Sequence, residues 1–252
     1  MKKNNRLVMI TGSNGSIGRD VVDKLSKSGY EILGIDLHEK SLTKNLSKYV
    51  SLDLNRICID KDYREVKINE IKKHMNITNL YSLINVAGKQ NKVINSIEGD
   101  ISLLKESMNI NCISLYILAE NFKDLLTQNN GCLINIGSIH TQLTKKNFLH
   151  YSTSKGALNS LTKALSLEYG GNIKVFGVNP AAVDTEMLKE GFSDNEKYQA
   201  LNRYHPSKKI CKVNEISDLI NFLLGSPIEF LHGSIIDMSG GISHCLNDPD
   251  NC

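Results

Sequence analysis

Thr11-Gly12-Ser13-Asn14-Gly15-Ser16-Ile17-Gly18 follows the apolar run Leu7 to Ile10 and precedes Val21 to Leu25, which carry helical spacing as far as Gly29. That order predicts a strand, a glycine-rich turn and a helix. Glycines let a backbone approach a pyrophosphate, and the first helical turn adds free N–H groups and partial positive charge. Taken alone, such a stretch is a weak signal, since a plain turn would read the same, though its position between strand and helix favours the phosphate reading. Two acidic residues add weight to the phosphate reading. Asp36 ends a second predicted strand, Glu31 to Asp36, 18 positions after Gly18. A carboxylate there can accept from both ribose hydroxyls and repels a 2′-phosphate, which favours NAD over NADP. Asp53, followed by Leu54, ends a third strand, Tyr49 to Leu52, and suits the adenine edge. The bland alternative for both acids is a turn residue after a strand.

Further along, strands and helices alternate to the end of the chain. Helical stretches are Tyr63 to His74, Leu103 to Leu126 with an interruption near Asn109, Tyr151 to Glu168, and Asn214 to Leu224. Strands are Leu80 to Val86, Cys132 to Ile136, Ile173 to Val178 and Ser234 to Met238. This is an α/β pattern: a doubly wound, mostly parallel, Rossmann-type sheet in three layers. Residues 1–252 read as one dinucleotide-binding and catalytic domain, and the polar, interrupted stretch 182–212 as an irregular substrate lid. With 40% apolar residues the chain is long enough for one large core. Its 30 basic and 27 acidic residues leave a net charge of +3, too balanced for a nucleic-acid or membrane-surface partner. The six cysteines form no C-x-x-C pair, so reduced thiols, no metal site and a cytoplasmic location are expected.

The chemistry centres on Tyr151 and Lys155, which share a helix face at a spacing of four. A free phenol, with a pKa of about 10, is a poor base. A nearby ammonium and the positive helix end favour the phenolate, so a lowered pKa is expected for Tyr151. The spacing alone decides nothing, because Tyr63/Lys67 and Tyr204/Lys208 repeat it. Only Tyr151 has a hydroxyl residue, Ser138, 13 positions earlier at a strand end; the other two have Val50 and Gly191 there.

At this point the sequence resembles the classical short-chain dehydrogenase/reductase family over nearly its whole length. Thr11 to Gly18, Asp53, Asn85-Val86-Ala87-Gly88, Asn111, Ser138, Tyr151 with Lys155, Asn179-Pro180 with Thr185, and Gly240-Gly241 occur in the family's order. The resemblance implies that Ser138 hydrogen-bonds the reacting oxygen, Tyr151 passes the proton, and Lys155 binds the nicotinamide ribose and tunes Tyr151. Asn111 would hold a water linking Lys155 to solvent. Gly12, Asn14, Gly15, Ser16, Ile17 and Gly18 would face the pyrophosphate side, Asn85, Ala87 and Gly88 the adenine-ribose side, and Pro180, Val183 and Thr185 the carboxamide. It also implies a homo-oligomer packed through helices near Leu115 to Leu126 and Tyr151 to Glu168.

The chain departs from the family at several places. Ser16, Ala181, Ser114 and Ser239 stand where glycine is usual, and Gly137 replaces the first of a pair of serines. Gln90 and His140 fall where a substrate cleft is expected and resemble a carboxylate-binding pair of 3-hydroxybutyrate dehydrogenases, but Phe148 stands where those enzymes carry lysine. Generic polar cleft residues are the preferred reading for both. The expected function is an NAD(P)-dependent oxidoreductase that interconverts an alcohol and a carbonyl on a polar small molecule, a sugar derivative or hydroxy acid. The alternatives are a 3-oxoacyl-thioester reductase and a catalytically silent dinucleotide-binding sensor or scaffold.

Overall fold

A computed structural model of the chain describes residues 6–74, 80–91, 101–189 and 194–245. Strands β1 (Leu7–Thr11), β2 (Glu31–Asp36), β3 (Lys48–Ser51), β4 (Leu80–Asn85), β5 (Cys132–Ile136), β6 (Lys174–Pro180) and β7 (Ile235–Met238) form one parallel sheet in the order β3-β2-β1-β4-β5-β6-β7. A parallel strand is covered on both faces, so it is apolar along its length. β1 illustrates this: all five of its residues are buried, with Leu7 and Met9 in one core and Val8 and Ile10 in the other. On one face lie α3 (Lys61–His74), α5 (Ser114–Gln128) and α6 (Leu149–Tyr169), contributing Ile68, Ile71, Phe122 and Leu165. On the other, α1 (Ser16–Lys27) places Val21, Val22 and Leu25 with Ile216, Ile220 and Leu223 of α9 (Val213–Gly225). The three-layer, doubly wound fold is the one expected.

Strand order reverses between β1 and β4. Thr11 at the end of β1 is the register partner of Asn85 at the end of β4. In open parallel sheets the ligand crevice lies at that point, outside the carboxyl ends of the strands.

One sequence expectation, the interruption near Asn109, is found, and one needs correction. The helix broken near Asn109 is α4 (Ile101–Met108), a π-helical turn at Asn109–Ile113, and α5. Such single-turn bulges mark functional sites more often than ordinary helix does. The stretch 182–212 is not simply irregular: it carries α7 (Glu186–Lys189) and α8 (Asn195–Tyr204), with 190–193 outside the described residues. α8 is capped by Asp194, which accepts from the Lys197 N–H at 2.7 Å. None of its residues is fully buried, so it lacks the buried apolar face by which a helix is most readily read.

Candidate active site

The glycine-rich turn owes its shape to contacts that only glycine permits. Gly12 has φ +69°, and a Cβ there would lie 2.8 Å from the Ala87 backbone. A Cβ on Gly18 would lie 2.0 Å from the Gly12 carbonyl oxygen. Gly15 differs: its φ is ordinary, and its nearest protein atom would be 3.4 Å away. The fold alone does not demand glycine at 15, and the room it leaves lies at the start of α1. That helix start has no side-chain cap and no acidic residue in its first turn, so it suits an anion.

Asn14 is brought to the turn but spends its polar groups on the protein. Its N–H donates to Asp36 Oδ2 at 2.9 Å, and its carbonyl accepts from Arg19 at 3.0 Å. Its side chain accepts from the Leu42 N–H at 2.8 Å and donates to the Lys40 carbonyl and the Tyr49 hydroxyl. Sequence reasoning placed Asn14 at the cofactor; the structure makes it the peg around which residues 38–42 fold. The same turn is tied to α7, because Ser16 Oγ accepts from the Glu186 N–H at 3.2 Å and Arg19 pairs with Glu186 at 2.8 Å. Sequence reading missed this tie, and the unusual Ser16 was its only signal.

The other dinucleotide positions gather along the same crevice. Asp36 lies at the end of β2, partly exposed, bound to the turn through one carboxylate oxygen. Asp53 Oδ1 accepts from the Asn55 and Arg56 N–H groups and so caps α2 (Arg56–Ile59), while Leu54 is buried. The Ala87 N–H reaches Thr11 Oγ1 at 3.3 Å. Asn85 donates to Asn135 at 2.8 Å, and its own Oδ1 is buried with no partner among the described residues. Ile17 lies on the first turn of α1 and Pro180 ends β6. Val183 is buried, and Thr185 Oγ1 caps α7 through the Leu188 N–H at 3.2 Å.

At the middle of the crevice Lys155 is buried, and its Nζ donates to the Ile136 carbonyl at 2.8 Å. A Cβ on Gly88 would come within 3.3 Å of that Nζ, so the glycine lets the β4 loop close over the lysine. Asn111, in the π-helical turn, uses its carboxamide to bind both backbone groups of Lys89, at 2.8 and 2.9 Å, and Ser154 Oγ at 2.9 Å. Its side chain is therefore occupied by the protein.

Tyr151 lies on the first turn of α6, its ring centroid 5.9 Å from Lys155 Nζ. The expected lowering of its pKa is not found. Burial pushes the Tyr151 phenol up, opposed only by the hydrogen bond with Ser138. Burial of the phenol itself is the largest cause, and Lys155 beside it is desolvated too: burial brings its ammonium down to about 8, and its Nζ donates to the Ile136 carbonyl. Ser138 Oγ accepts from the His140 N–H at 3.2 Å, which leaves the serine hydrogen for another acceptor. Thus Ser138, Tyr151 and Lys155 come together.

His140 and Gln90 border this cluster differently. The His140 ring stacks on Phe148 at 4.7 Å and meets Tyr151 edge-on at 5.8 Å. Its Nδ1 is buried without a partner among the described residues. Burial, and then Lys145, hold its pKa down. Lys145 lies over the Phe148 ring at 4.4 Å. Gln90 is half-buried on the loop after β4, next to residues 92–100 outside the described set. The decoys fall elsewhere. The Tyr63 hydroxyl accepts from the Asp53 N–H at 3.0 Å, and Tyr204 is exposed.

Comparison with known proteins finds similarity over nearly the whole chain. A family profile described as enoyl-(acyl carrier protein) reductase matches residues 12–243. The chain is 29% identical to an L-xylulose reductase of Caenorhabditis elegans, over 94% of this chain and 95% of that one. It is 26% identical to a 3-oxoacyl-(acyl-carrier-protein) reductase of Buchnera aphidicola, over 96% and 99%. The ligand-free aldohexose dehydrogenase of Thermoplasma acidophilum shares the fold at a TM-score of 0.86 and 21% identity, covering 98% of both chains.

Proposed function

The chain belongs to the classical short-chain dehydrogenase/reductase family, and we propose that Ser138, Tyr151 and Lys155 carry its chemistry. It is an NAD(P)-dependent oxidoreductase that interconverts an alcohol and a carbonyl. The observation that carries the residue assignment is the convergence of Ser138 and buried Lys155 on Tyr151. The dinucleotide, when bound, supplies or takes up the hydride. Ser138 turns its hydroxyl hydrogen, which in the free protein is engaged with Tyr151, to the substrate oxygen, and Tyr151 gives that oxygen a proton in reduction or removes one in oxidation. Lys155 offers the remaining ammonium hydrogens to ribose hydroxyls. Asn111 holds the Lys89 loop and Ser154 in place beside it.

The room at Gly15 and the uncapped start of α1 suit the pyrophosphate. Asp36, with one oxygen held by the Asn14 N–H at 2.9 Å and the other 3.5 Å from the His38 N–H, suits an unphosphorylated ribose, so NAD is the preferred cofactor. A polar substrate, a sugar derivative or hydroxy acid, suits the imidazole of His140 and the half-buried Gln90 beside Tyr151. Similarity to the L-xylulose reductase supports the sugar. The second reading, a 3-oxoacyl-thioester reductase, draws on the similarity to the Buchnera aphidicola enzyme. Free Cys58, Cys112, Cys132, Cys211 and Cys245 accord with a reducing cytoplasm. Exposed Tyr116 and Leu167, on α5 and α6, suit packing in a homo-oligomer.

The decisive assay follows NADH and NADPH absorbance across sugars, hydroxy acids and acyl thioesters, with Tyr151→Phe beside the parent. Turnover on a sugar, abolished in Tyr151→Phe with NADH affinity kept within about twofold, is the expected result. Retained turnover in Tyr151→Phe removes the tyrosine from the mechanism.

A further inference from the structure

Gly137 precedes Ser138, and one neighbour explains its missing side chain. A Cβ there would fall 2.0 Å from Asn179 Oδ1 and 3.2 Å from Asn159 Oδ1. The Gly137 N–H is fixed to the Val178 carbonyl at 2.7 Å, so this residue cannot easily back away. The space is filled by the carboxamide of Asn179, which is fully buried. That carboxamide bonds in two directions. Its oxygen accepts from the Ser138 N–H at 3.2 Å. Its nitrogen donates to Asp237 Oδ1 at 3.1 Å, on the adjacent strand at the paired register position, with Thr141 Oγ1 at 3.5 Å. The other Asp237 oxygen accepts from Gln142 at 3.1 Å.

A carboxylate can only accept, so Asp237 dictates which end of the amide faces Ser138. The strut grips the chain before and after the serine side chain: at the Ser138 N–H, and at Thr141 and Gln142 in the turn that follows. We propose that Asn179, oriented by Asp237, is a positioning residue that holds Ser138 against Tyr151, and that glycine at 137 exists to admit it. The proposal rests on the assignment of Ser138 and Tyr151 made above. A turn free to rotate about Ser138 carries its hydroxyl away from Tyr151, while the dinucleotide end of the crevice is untouched.

The test exchanges the two partners. Asn179→Asp sets two carboxylates against each other. In Asn179→Asp/Asp237→Asn, donor and acceptor trade strands while an oxygen still faces Ser138. The probe is L-xylulose reduction with NADH, together with NADH binding by fluorescence and Tm. We expect Asn179→Asp to lose about tenfold in kcat with NADH affinity within about twofold. The loss shrinks at lower pH, where one shared proton restores the donor. The double variant recovers kcat to within about threefold of the parent. A single variant at parental kcat, or a double variant with Tm restored and kcat no better than the single, overturns the proposal. Should the parent not reduce L-xylulose, the sugar reading fails by itself, and Tyr151 ionisation decides the strut. In ultraviolet difference titrations corrected with Tyr151→Phe, Asn179→Leu then raises the Tyr151 midpoint; an unchanged midpoint overturns the strut.

Discussion

Lys155→Met isolates the electrostatic cost of the buried ammonium. In the unfolded chain Lys155 keeps its proton up to its ordinary pKa of 10.5, whereas in the folded protein burial brings it to about 8. Between those values the unfolded state binds more protons, so Lys155 makes stability rise with pH. Charging it below pH 8 opposes folding, and that opposition fades as it deprotonates. From pH 7 to pH 10 the wild-type protein should gain about 2–3 kcal/mol relative to Lys155→Met. That amounts to roughly 4–12 °C in Tm for a chain of this size. Tyr30, Tyr169 and Tyr198 also titrate abnormally, all pushed up mainly by burial, but both proteins contain them and the comparison cancels their effect. Tyr151, pushed up by burial as well, is likewise present in both proteins. The assay is urea denaturation of both proteins, without cofactor, at several pH values. A stability gap that stays constant with pH refutes the desolvated ammonium, and a gap moving in the opposite sense refutes the sign.

The remaining predictions concern cofactor binding. Gly18→Ala drives a Cβ to 2.0 Å from the Gly12 carbonyl, so a loss of about 1–3 kcal/mol of stability with weakened NADH binding is expected; a parental Tm and Kd would show that the turn yields freely. Asp36→Asn keeps an acceptor for the Asn14 N–H while removing the charge, so NADPH affinity should improve by at least about fivefold, the ~1 kcal/mol between two unit charges 4 Å apart in water. Titration calorimetry in buffers of different ionisation enthalpy should find this insensitive to Asp36 if the carboxylate faces away from the ribose. The same calorimetry on the wild-type protein should detect uptake of up to about half a proton on NADH binding at pH 8, because new acceptors raise the pKa of Lys155. Heats independent of the buffer would exclude that coupling.

Much of the site was legible because two of its glycines are forced by backbone geometry. Gly12 and Gly18 are required by contacts within 3 Å, and such contacts leave a mark in sequence. The three tyrosine–lysine pairs were separable by Ser138, and they differ in their surroundings too: Lys155 is buried, whereas Tyr204 is exposed and Tyr63 serves a backbone N–H. What escaped were partnerships between distant segments. Asn14 with Leu42 and Tyr49, Glu186 with Ser16, and Asn179 with Asp237 join residues 28, 35, 170 and 58 positions apart. No local period encodes them. The departures at Ser16 and Gly137 were their visible halves, each the place where a partner from elsewhere in the chain arrives. The sign of the Tyr151 shift escaped for a related reason. Spacing shows that an ammonium is near, but not that burial has weakened its hold on its own proton.

The titratable groups around Tyr151 are biased in a common direction. Burial raises the Tyr151 phenol, lowers the Lys155 ammonium and lowers the His140 imidazole, so all three are pushed toward neutrality in the free protein. At neutral pH the proton needed for carbonyl reduction therefore already sits on Tyr151, and no preceding step has to load it. Oxidation of an alcohol needs the opposite state, a phenolate, and that state requires Lys155 to be charged. Below pH 8 the lysine already carries its charge, and acceptors beyond the Ile136 carbonyl would hold that charge to higher pH. A ribose diol offers such acceptors, so occupation of the dinucleotide crevice and availability of the base are linked through one buried side chain. Gly88 and Asn111 acquire their meaning here: one lets the β4 loop come close to the lysine, and the other pins that loop in place.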